Sequence, residues 1–112
     1  MGLPDGASDV RGIWGSSGAN VFAVTAAGQI LRFDGVEWRV AVTAARPLAG
    51  IWGSSADDVI AVGERGTILR FDGARWSAVD AGVEADLHGV WGSGPTDLYV
   101  VGDSGLILRY GW

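Results

Sequence analysis

Short apolar runs alternate with polar turns along the whole chain, and the clearest run is Asp58–Gly63. Successive side chains of a β-strand point to opposite faces of the sheet. In this run Val59 and Ala61 would point to one face, and Ile60 and Val62 to the other. Both faces are apolar, so the run predicts a strand in a sheet that is covered on both sides. No stretch shows a helical period, and the chain is predicted to be all-β.

The same pattern of strands and turns occurs three times. The copies are Gly12–Trp38, Gly50–Trp76 and Gly89–Trp112. Their first tryptophans, Trp14, Trp52 and Trp91, are spaced by 38 and 39 residues. A period of about 40 residues built from short strands is typical of β-propeller blades. The sequence therefore predicts three four-stranded antiparallel blades, at about residues 11–45, 49–84 and 88–112.

Each repeat divides into four predicted strands with glycine-containing turns between them. The dipeptides Asp34-Gly35 and Asp72-Gly73 predict tight hairpins. The fourth strand is the most polar, as expected of an outer edge. Small residues on one face of a blade (Ala23, Ala61) would receive bulky ones (Phe22, Ile60) from the next, so that neighbouring blades interdigitate.

The six tryptophans fit this scheme. We expect Trp14, Trp52 and Trp91 in the core, and Trp38 and Trp76 over the outer turns. A role for some of them as aromatic platforms for a sugar is the alternative.

Composition narrows the class of protein. Hydrophobic residues make up 48% of the 112-residue chain, enough for a packed core. The net charge is −5, with eight arginines and no lysine, which disfavours binding to a nucleic-acid backbone. There is no cysteine, no long apolar run and no secretory signal pattern, so the sequence predicts no membrane span and leaves the compartment unknown. No cofactor motif or metal-ligand spacing is present, and we predict neither a cofactor nor a metal.

The blade motif carries a resemblance. The segment Gly63-x-x-Gly66-x-Ile68, followed by Phe71-Asp72-Gly73-x-x-Trp76, resembles the repeat of propellers related to the photosystem II assembly and stability factor. It is also similar to the Asp-box repeats of sialidase-type propellers. The resemblance implies the propeller fold and no catalytic residue.

A looser similarity is to the small fucose lectins, whose short chains oligomerise into six-bladed rings. By residue type, the similarity implies a saccharide site at Arg32, Glu37, Trp38, Arg70 and Trp76. Arg32, Arg70 and Arg109 occupy the same place in each repeat, where a structural pair with Asn20, Asp58 or Asp97 is the competing interpretation.

Positions that break the repeat are better candidates for binding. They lie in the loops after the second strands and in the linkers between blades, which share one rim of a propeller. The candidates are Glu64, Arg65, Asp86, His88 and Asp103. His88 is the lone histidine and has no partner nucleophile, so a catalytic triad is not predicted.

Three blades do not close a ring. The third repeat stops at Trp112, and residues 1–10 match the missing piece of its outer strand. We therefore predict a head-to-tail homo-oligomer in which residues 1–10 of one chain complete the third blade of another. A dimer of six blades is favoured over a trimer of nine, because rings of four to eight blades are the usual sizes.

The function predicted from the sequence is non-enzymatic. It is an oligomeric platform that recognises a glycan or a protein through its rim loops. The alternative is a structural ring, or a piece of a longer propeller, without a ligand of its own.

Overall fold

The computed structural model describes residues 8–110, and residues 1–7 and 111–112 lie outside that part. It has eleven strands: β1 Val10–Ser17, β2 Asn20–Thr25, β3 Gln29–Phe33, β4 Trp38–Thr43, β5 Leu48–Ser55, β6 Asp58–Gly63, β7 Ile68–Phe71, β8 Trp76–Val79, β9 Leu87–Gly94, β10 Asp97–Gly102 and β11 Ile107–Tyr110. The all-β prediction is confirmed.

The strands form three antiparallel sheets, each a simple up-and-down meander. Blade 1 has the order β1-β2-β3-β4, blade 2 the order β5-β6-β7-β8, and blade 3 the order β9-β10-β11. Among residues 8–110, blade 3 therefore lacks a fourth strand, as the sequence predicted. The strand that residues 1–10 were expected to supply falls largely outside the described residues.

The hairpin turns have the predicted chemistry. Gly73 has φ +100°, a conformation that favours glycine. The Oδ1 atom of Asp72 accepts the backbone N–H groups of Ala74 (2.8 Å) and Arg75 (2.9 Å), which closes the turn.

Two loops contain single turns of 3₁₀-helix, which the sequence analysis did not predict. They are Glu64–Gly66 and Asp103–Gly105. Arg65 (φ 55°) and Ser104 (φ 61°) adopt the left-handed conformation within them. A three-residue turn is too short to show a helical period in the sequence.

The core lies between the blades. The face of blade 1 that carries Phe22 and Val24 packs on the face of blade 2 that carries Val59 and Ala61. The opposite face of blade 2, with Ile60 and Val62, packs on Leu98 and Val100 of blade 3. Blade 2 is thus covered on both sides, and the predicted interdigitation of bulky and small residues is observed.

The blades converge at their first strands, where glycines allow backbones to approach. A Cβ atom at Gly50 would lie 3.3 Å from the Cα atom of Gly89, and one at Gly12 would lie 3.4 Å from the Cα atom of Gly50. β1, β5 and β9 therefore form the inner edge of the arc, and β4 and β8 its outer edge.

The repeat tryptophans occupy the predicted positions, with one correction. Trp14 and Trp52 are half-buried against the two cores. Trp91 was expected in the core but is 60% exposed, because no blade in the described chain follows its face.

Candidate functional site

One arginine occupies the equivalent position on the third strand of each blade: Arg32, Arg70 and Arg109. The side chains that these arginines contact differ between the blades. Arg70 Nη2 lies 3.2 Å from Asp58 Oδ1, and Arg109 Nε lies 2.9 Å from Asp97 Oδ1. These two arginines form the structural pairs that the competing interpretation predicted.

Serines reinforce both pairs. Ser54 donates to Asp58 (2.5 Å), and Ser93 donates to Asp97 (2.7 Å). The hydrogen bond from Ser93, followed by that from Arg109, lowers the pKa of Asp97 below its ordinary value. The Asp97 carboxyl group is thus held in its ionised form.

Arg32 has a different partner. Its Nε donates to the side-chain oxygen of Asn20 (3.0 Å), which is neutral and stands where the other repeats have aspartate. Within residues 8–110, no carboxylate forms an ion pair with Arg32. Its guanidinium lies over two rings, with the Cζ atom 5.1 Å from the centroid of Phe22 and 5.7 Å from that of Phe71. The charge of Arg32 is therefore not neutralised by an ion pair within the described part of the chain.

A cavity of about 350 Å³ surrounds this arginine between blades 1 and 2. We call it the Arg32 groove. It is lined by Phe22, Arg32, Ala41, Val42, Phe71, Ala74, Arg75 and Trp76. A second cavity of about 330 Å³ continues from Arg32 and Ala41 along the outer strand β4.

The charged side chains that line the Arg32 groove are all positively charged. It includes two guanidinium groups, from Arg32 and Arg75, and no carboxylate. Three aromatic rings form the apolar wall, with Phe22 and Trp76 in edge-to-face contact at 5.7 Å between centroids. The indole N–H of Trp76 is buried and has no acceptor among the described residues. The lining side chains are hydrogen-bond donors and apolar groups, which fits an anionic group attached to an apolar one.

The continuation along β4 is electrostatically mixed. Asp34 and Arg39 both line it. The backbone N–H groups of Glu37 and Val36 lower the pKa of Asp34, and the side-chain hydrogen bond to Glu37 raises the pKa of Arg39. The excess of positive charge in the Arg32 groove therefore does not continue along β4.

The residues implied by the lectin similarity are not all brought together. Arg32 and Trp76 line the same groove. Trp38 packs on Phe33, which lies on the opposite face of blade 1, and Glu37 pairs with Arg39. Arg70 lies in the next blade interface, beside Asp58.

Most of the predicted rim residues do lie together. The backbone N–H of Arg65 donates to Asp86 Oδ1 (3.0 Å), and the backbone N–H of Asp103 donates to the Asp86 carbonyl (3.0 Å). The His88 ring contacts the Asp103 carboxylate, while the Glu64 N–H donates to the carbonyl of Pro47 (3.0 Å). The contacts of Asp86 tie the loops of blades 2 and 3 to the linker that precedes β9, and the contact with Pro47 ties the loop of blade 2 to the linker that precedes β5.

A smaller cavity of about 270 Å³ lies on this rim, between the linker of blade 1 and the loop of blade 2. Arg46 and Arg65 are its charged lining residues. Binding at the rim remains a prediction.

Sequence reasoning missed the groove, although a signal for it was present. Asn20 replaces Asp58 and Asp97 at the same place in the repeat, which removes the carboxylate partner from one arginine only. At another equivalent position, the second repeat has Arg75 where the first repeat has Glu37. Across the interface between blades 1 and 2, the two substitutions leave two arginines on one cavity.

Among residues 8–110, no group of three or more His, Cys, Asp or Glu side chains is placed to hold a metal ion. No helix in that part is long and apolar enough to span a membrane.

Comparisons with known proteins support the fold. No family model matches the chain. No curated protein matches it. Among solved structures, it is similar to the one described as YCF48 bound to D1 peptide, with a TM-score of 0.79 and 16% sequence identity. The match covers 99% of this chain and 39% of that one, so the chain spans well under half of the neighbour's length. At this identity the likeness shows the propeller-type fold alone.

Proposed function

We propose that this chain is a non-enzymatic binding module whose Arg32 groove takes an acidic peptide segment of a protein partner. The observation that carries the proposal is the unneutralised Arg32, which shares its cavity with Arg75 and with no carboxylate. A ligand carboxylate would supply the charge that aspartate supplies in the other two repeats.

The shape and chemistry of the groove favour a carboxylate next to an apolar side chain. A guanidinium can bind a carboxylate through two parallel hydrogen bonds. The rings of Phe22, Phe71 and Trp76 offer an apolar surface beside it. The description of the structural neighbour as bound to a peptide is consistent with a propeller surface that receives a peptide.

The groove lining also supports a binding role over catalysis. Its exposed polar side-chain groups are two guanidiniums, which bind anions and do not act as nucleophiles at neutral pH. The rim residues Arg65, Asp86 and His88 remain a second candidate contact surface.

The test uses a fluorescein-labelled peptide that carries adjacent Glu and Phe residues, with a Gln-Phe peptide as the uncharged comparison. Fluorescence anisotropy should show binding of the Glu peptide only, and the affinity should fall as salt increases. Arg32→Ala should weaken binding about tenfold or more, since hydrogen bonds to charged groups contribute roughly 1.5–3 kcal/mol. Equal binding of the two peptides would contradict the proposal.

Two further variants separate a specific site from a general effect of charge. Asn20→Asp gives Arg32 the same carboxylate partner that Arg70 has, so it should weaken peptide binding while the fold is kept. Arg46→Ala removes one exposed arginine on the rim, outside the Arg32 groove. It should leave the affinity within about twofold, since surface substitutions usually act within about 0.5 kcal/mol.

A glycan array distinguishes the other ligand class. Saccharide binding that depends on Arg32 and Trp76, without binding of the Glu peptide, would show that the groove binds a glycan and not an acidic peptide. An assembly role is the other candidate function, and it is favoured by the exposed apolar residues Trp91, Val101 and Ile107 on blade 3.

A further inference from the structure

The face of blade 3 that points away from blade 2 is apolar and exposed. We call it the Trp91 face. It comprises Gly89, Trp91, Tyr99, Val101, Ile107 and Arg109. Trp91 is 60% exposed, Ile107 66% and Val101 43%. A cavity of about 250 Å³ with an almost entirely apolar lining lies against Trp91 and Tyr99. An exposed apolar patch of this kind marks an interaction surface.

Equivalent faces in the other blades show what such a surface packs against. In blade 1 the ring of Trp14 lies over Gly53 of blade 2, where a Cβ atom would be 2.6 Å from its Cη2. In blade 2 the ring of Trp52 lies over Gly92 of blade 3, again at 2.6 Å from a Cβ atom. The same contact thus occurs at both blade interfaces inside the chain. By repeat equivalence, Trp91 requires a glycine on the inner strand of a further blade.

The face of blade 1 that points away from blade 2 provides that glycine. We call it the Ile13 face. It includes Ile13, Gly15, Val21, Ala23, Leu31, Phe33, Trp38 and Val40, and of these Ala23, Leu31 and Phe33 are buried within one chain. Apart from Val40, which corresponds to Ala78, these residues are identical, position by position, to the face of blade 2 that packs under Trp14: Ile51, Gly53, Val59, Ala61, Leu69, Phe71 and Trp76.

The part of the Ile13 face that would receive a tryptophan is open. Gly53 and Gly92 are buried beneath rings, whereas Gly15 is exposed. Ile13 beside it is 63% exposed, while its counterpart Ile51 is packed into the first core. A Cβ atom at Gly15 would meet only atoms of its own hairpin.

We propose that the Trp91 face of one copy of this chain packs on the Ile13 face of a second copy, head to tail, with Trp91 seated on Gly15. The interface continues the two blade interfaces already present in the chain. Both contacting faces are present on each copy of the chain. A head-to-tail contact closes into a ring when the rotation per copy fits, and two copies give six blades.

Paired variants test the proposal by sedimentation or light scattering of the full chain. Wild type should have a mass near twice the 11.6 kDa of one chain. Trp91→Glu and Ile13→Glu should each give a single-chain mass, because each places a carboxylate in both interfaces of the ring. Both side chains are mostly exposed in one chain, so neither change should prevent folding. Circular dichroism checks that folding.

Mixing the two variants distinguishes a head-to-tail contact from a symmetrical one. An equimolar mixture should recover the assembly in part, because one interface of the mixed pair is then wild type. Ser77→Glu is the matched control: it adds the same charge to an exposed position on blade 2, whose two faces are covered within the chain. It should leave the mass unchanged.

Two results would overturn the proposal. Wild type with a single-chain mass at every concentration would mean that something other than a second copy covers the Trp91 face. Loss of assembly on Trp91→Glu but not on Ile13→Glu would show that two Trp91 faces meet each other. Neither variant touches the Arg32 groove, so peptide binding by the folded variants separates this proposal from the proposed function.

Discussion

At the scale of single residues, small differences between equivalent positions carry most of the functional information. Asn20 and Asp58 differ by one polar group, and this difference decides whether the repeat arginine is neutralised within its blade. Gly15 and Gly53 are the same residue in the same register, yet only Gly53 lies under a tryptophan. Residues that are identical in the repeats therefore maintain the scaffold. The proposed binding surfaces lie where an equivalent residue has a different contact partner.

The two glycines give a paired prediction. Gly53→Ala should lower stability by about 1–3 kcal/mol, because the new methyl group would overlap the Trp14 ring and overpack the interface. Gly15→Ala meets only its own hairpin, at 3.1 Å from Val21, and should change the unfolding free energy of the dissociated chain by less than about 1 kcal/mol. Urea unfolding of both variants checks this, and equal losses would contradict the blade packing described above.

Tryptophan truncation gives a second prediction at this scale. Trp52→Ala should cost about 3–5 kcal/mol, since its ring packs on the second core and fills the space above Gly92. The melting midpoint measured by circular dichroism should fall accordingly. An unchanged midpoint would show that Trp52 does not contribute to the core.

At the scale of strands and turns, the sequence predicted most of what the structure shows. Strand pairing follows from local features: alternating apolar residues, and Asp-Gly turns whose carboxylates bind backbone N–H groups within three residues. The Arg32 groove could not be predicted in this way. Phe22 and Arg32 of blade 1 meet Arg75 of blade 2 only through the stacking of two sheets, which no local pattern specifies. The exposure of Trp91 also depends on which blade follows it.

The carboxyl groups of the turns give a prediction about the stability of the fold at low pH. Backbone N–H groups lower the pKa of Asp34 and Asp72 below the ordinary value of 3.8, and Ser93 does the same for Asp97. A carboxyl group whose pKa is lowered by folding stabilises the fold fully above its unfolded pKa, and this stability is lost as pH falls through the folded pKa. The melting temperature should therefore drop below about pH 4. The triple variant Asp34→Asn, Asp72→Asn, Asp97→Asn should show a flatter pH profile in that range, and an unaltered profile would mean that these turns do not set the acid response.

At the scale of the whole molecule, the described residues form an arc of three blades, and we propose that its two end faces pack on each other between copies. The predicted exchange of the N-terminal strand involves residues 1–10, of which residues 1–7 lie outside the described part of the chain. Residues 8–10 contact blade 1 of the same chain, where the Asp9 carbonyl accepts the Ala26 N–H (2.9 Å) and Val10 pairs with Thr25. The strand exchange stays a prediction with its own test. Deleting residues 1–10 should weaken assembly more than it weakens blade folding, and an unchanged oligomer would contradict strand exchange while leaving the contact of the two faces to be tested separately.

Assembly through the two end faces should couple stability to concentration. Association that requires the folded state stabilises it by mass action, so the melting temperature of wild type should rise as the protein is concentrated. The melting temperature of Trp91→Glu should not change with concentration, because its open face can no longer be covered. Tryptophan emission provides a second measurement: Trp91 is 60% exposed in one chain, and its burial should shift the spectrum to shorter wavelength over the same concentration range. Ser77→Glu should behave as wild type in both measurements, since it lies away from the end faces. A melting temperature of wild type that is independent of concentration, together with constant emission, would show that the ends of the arc do not meet.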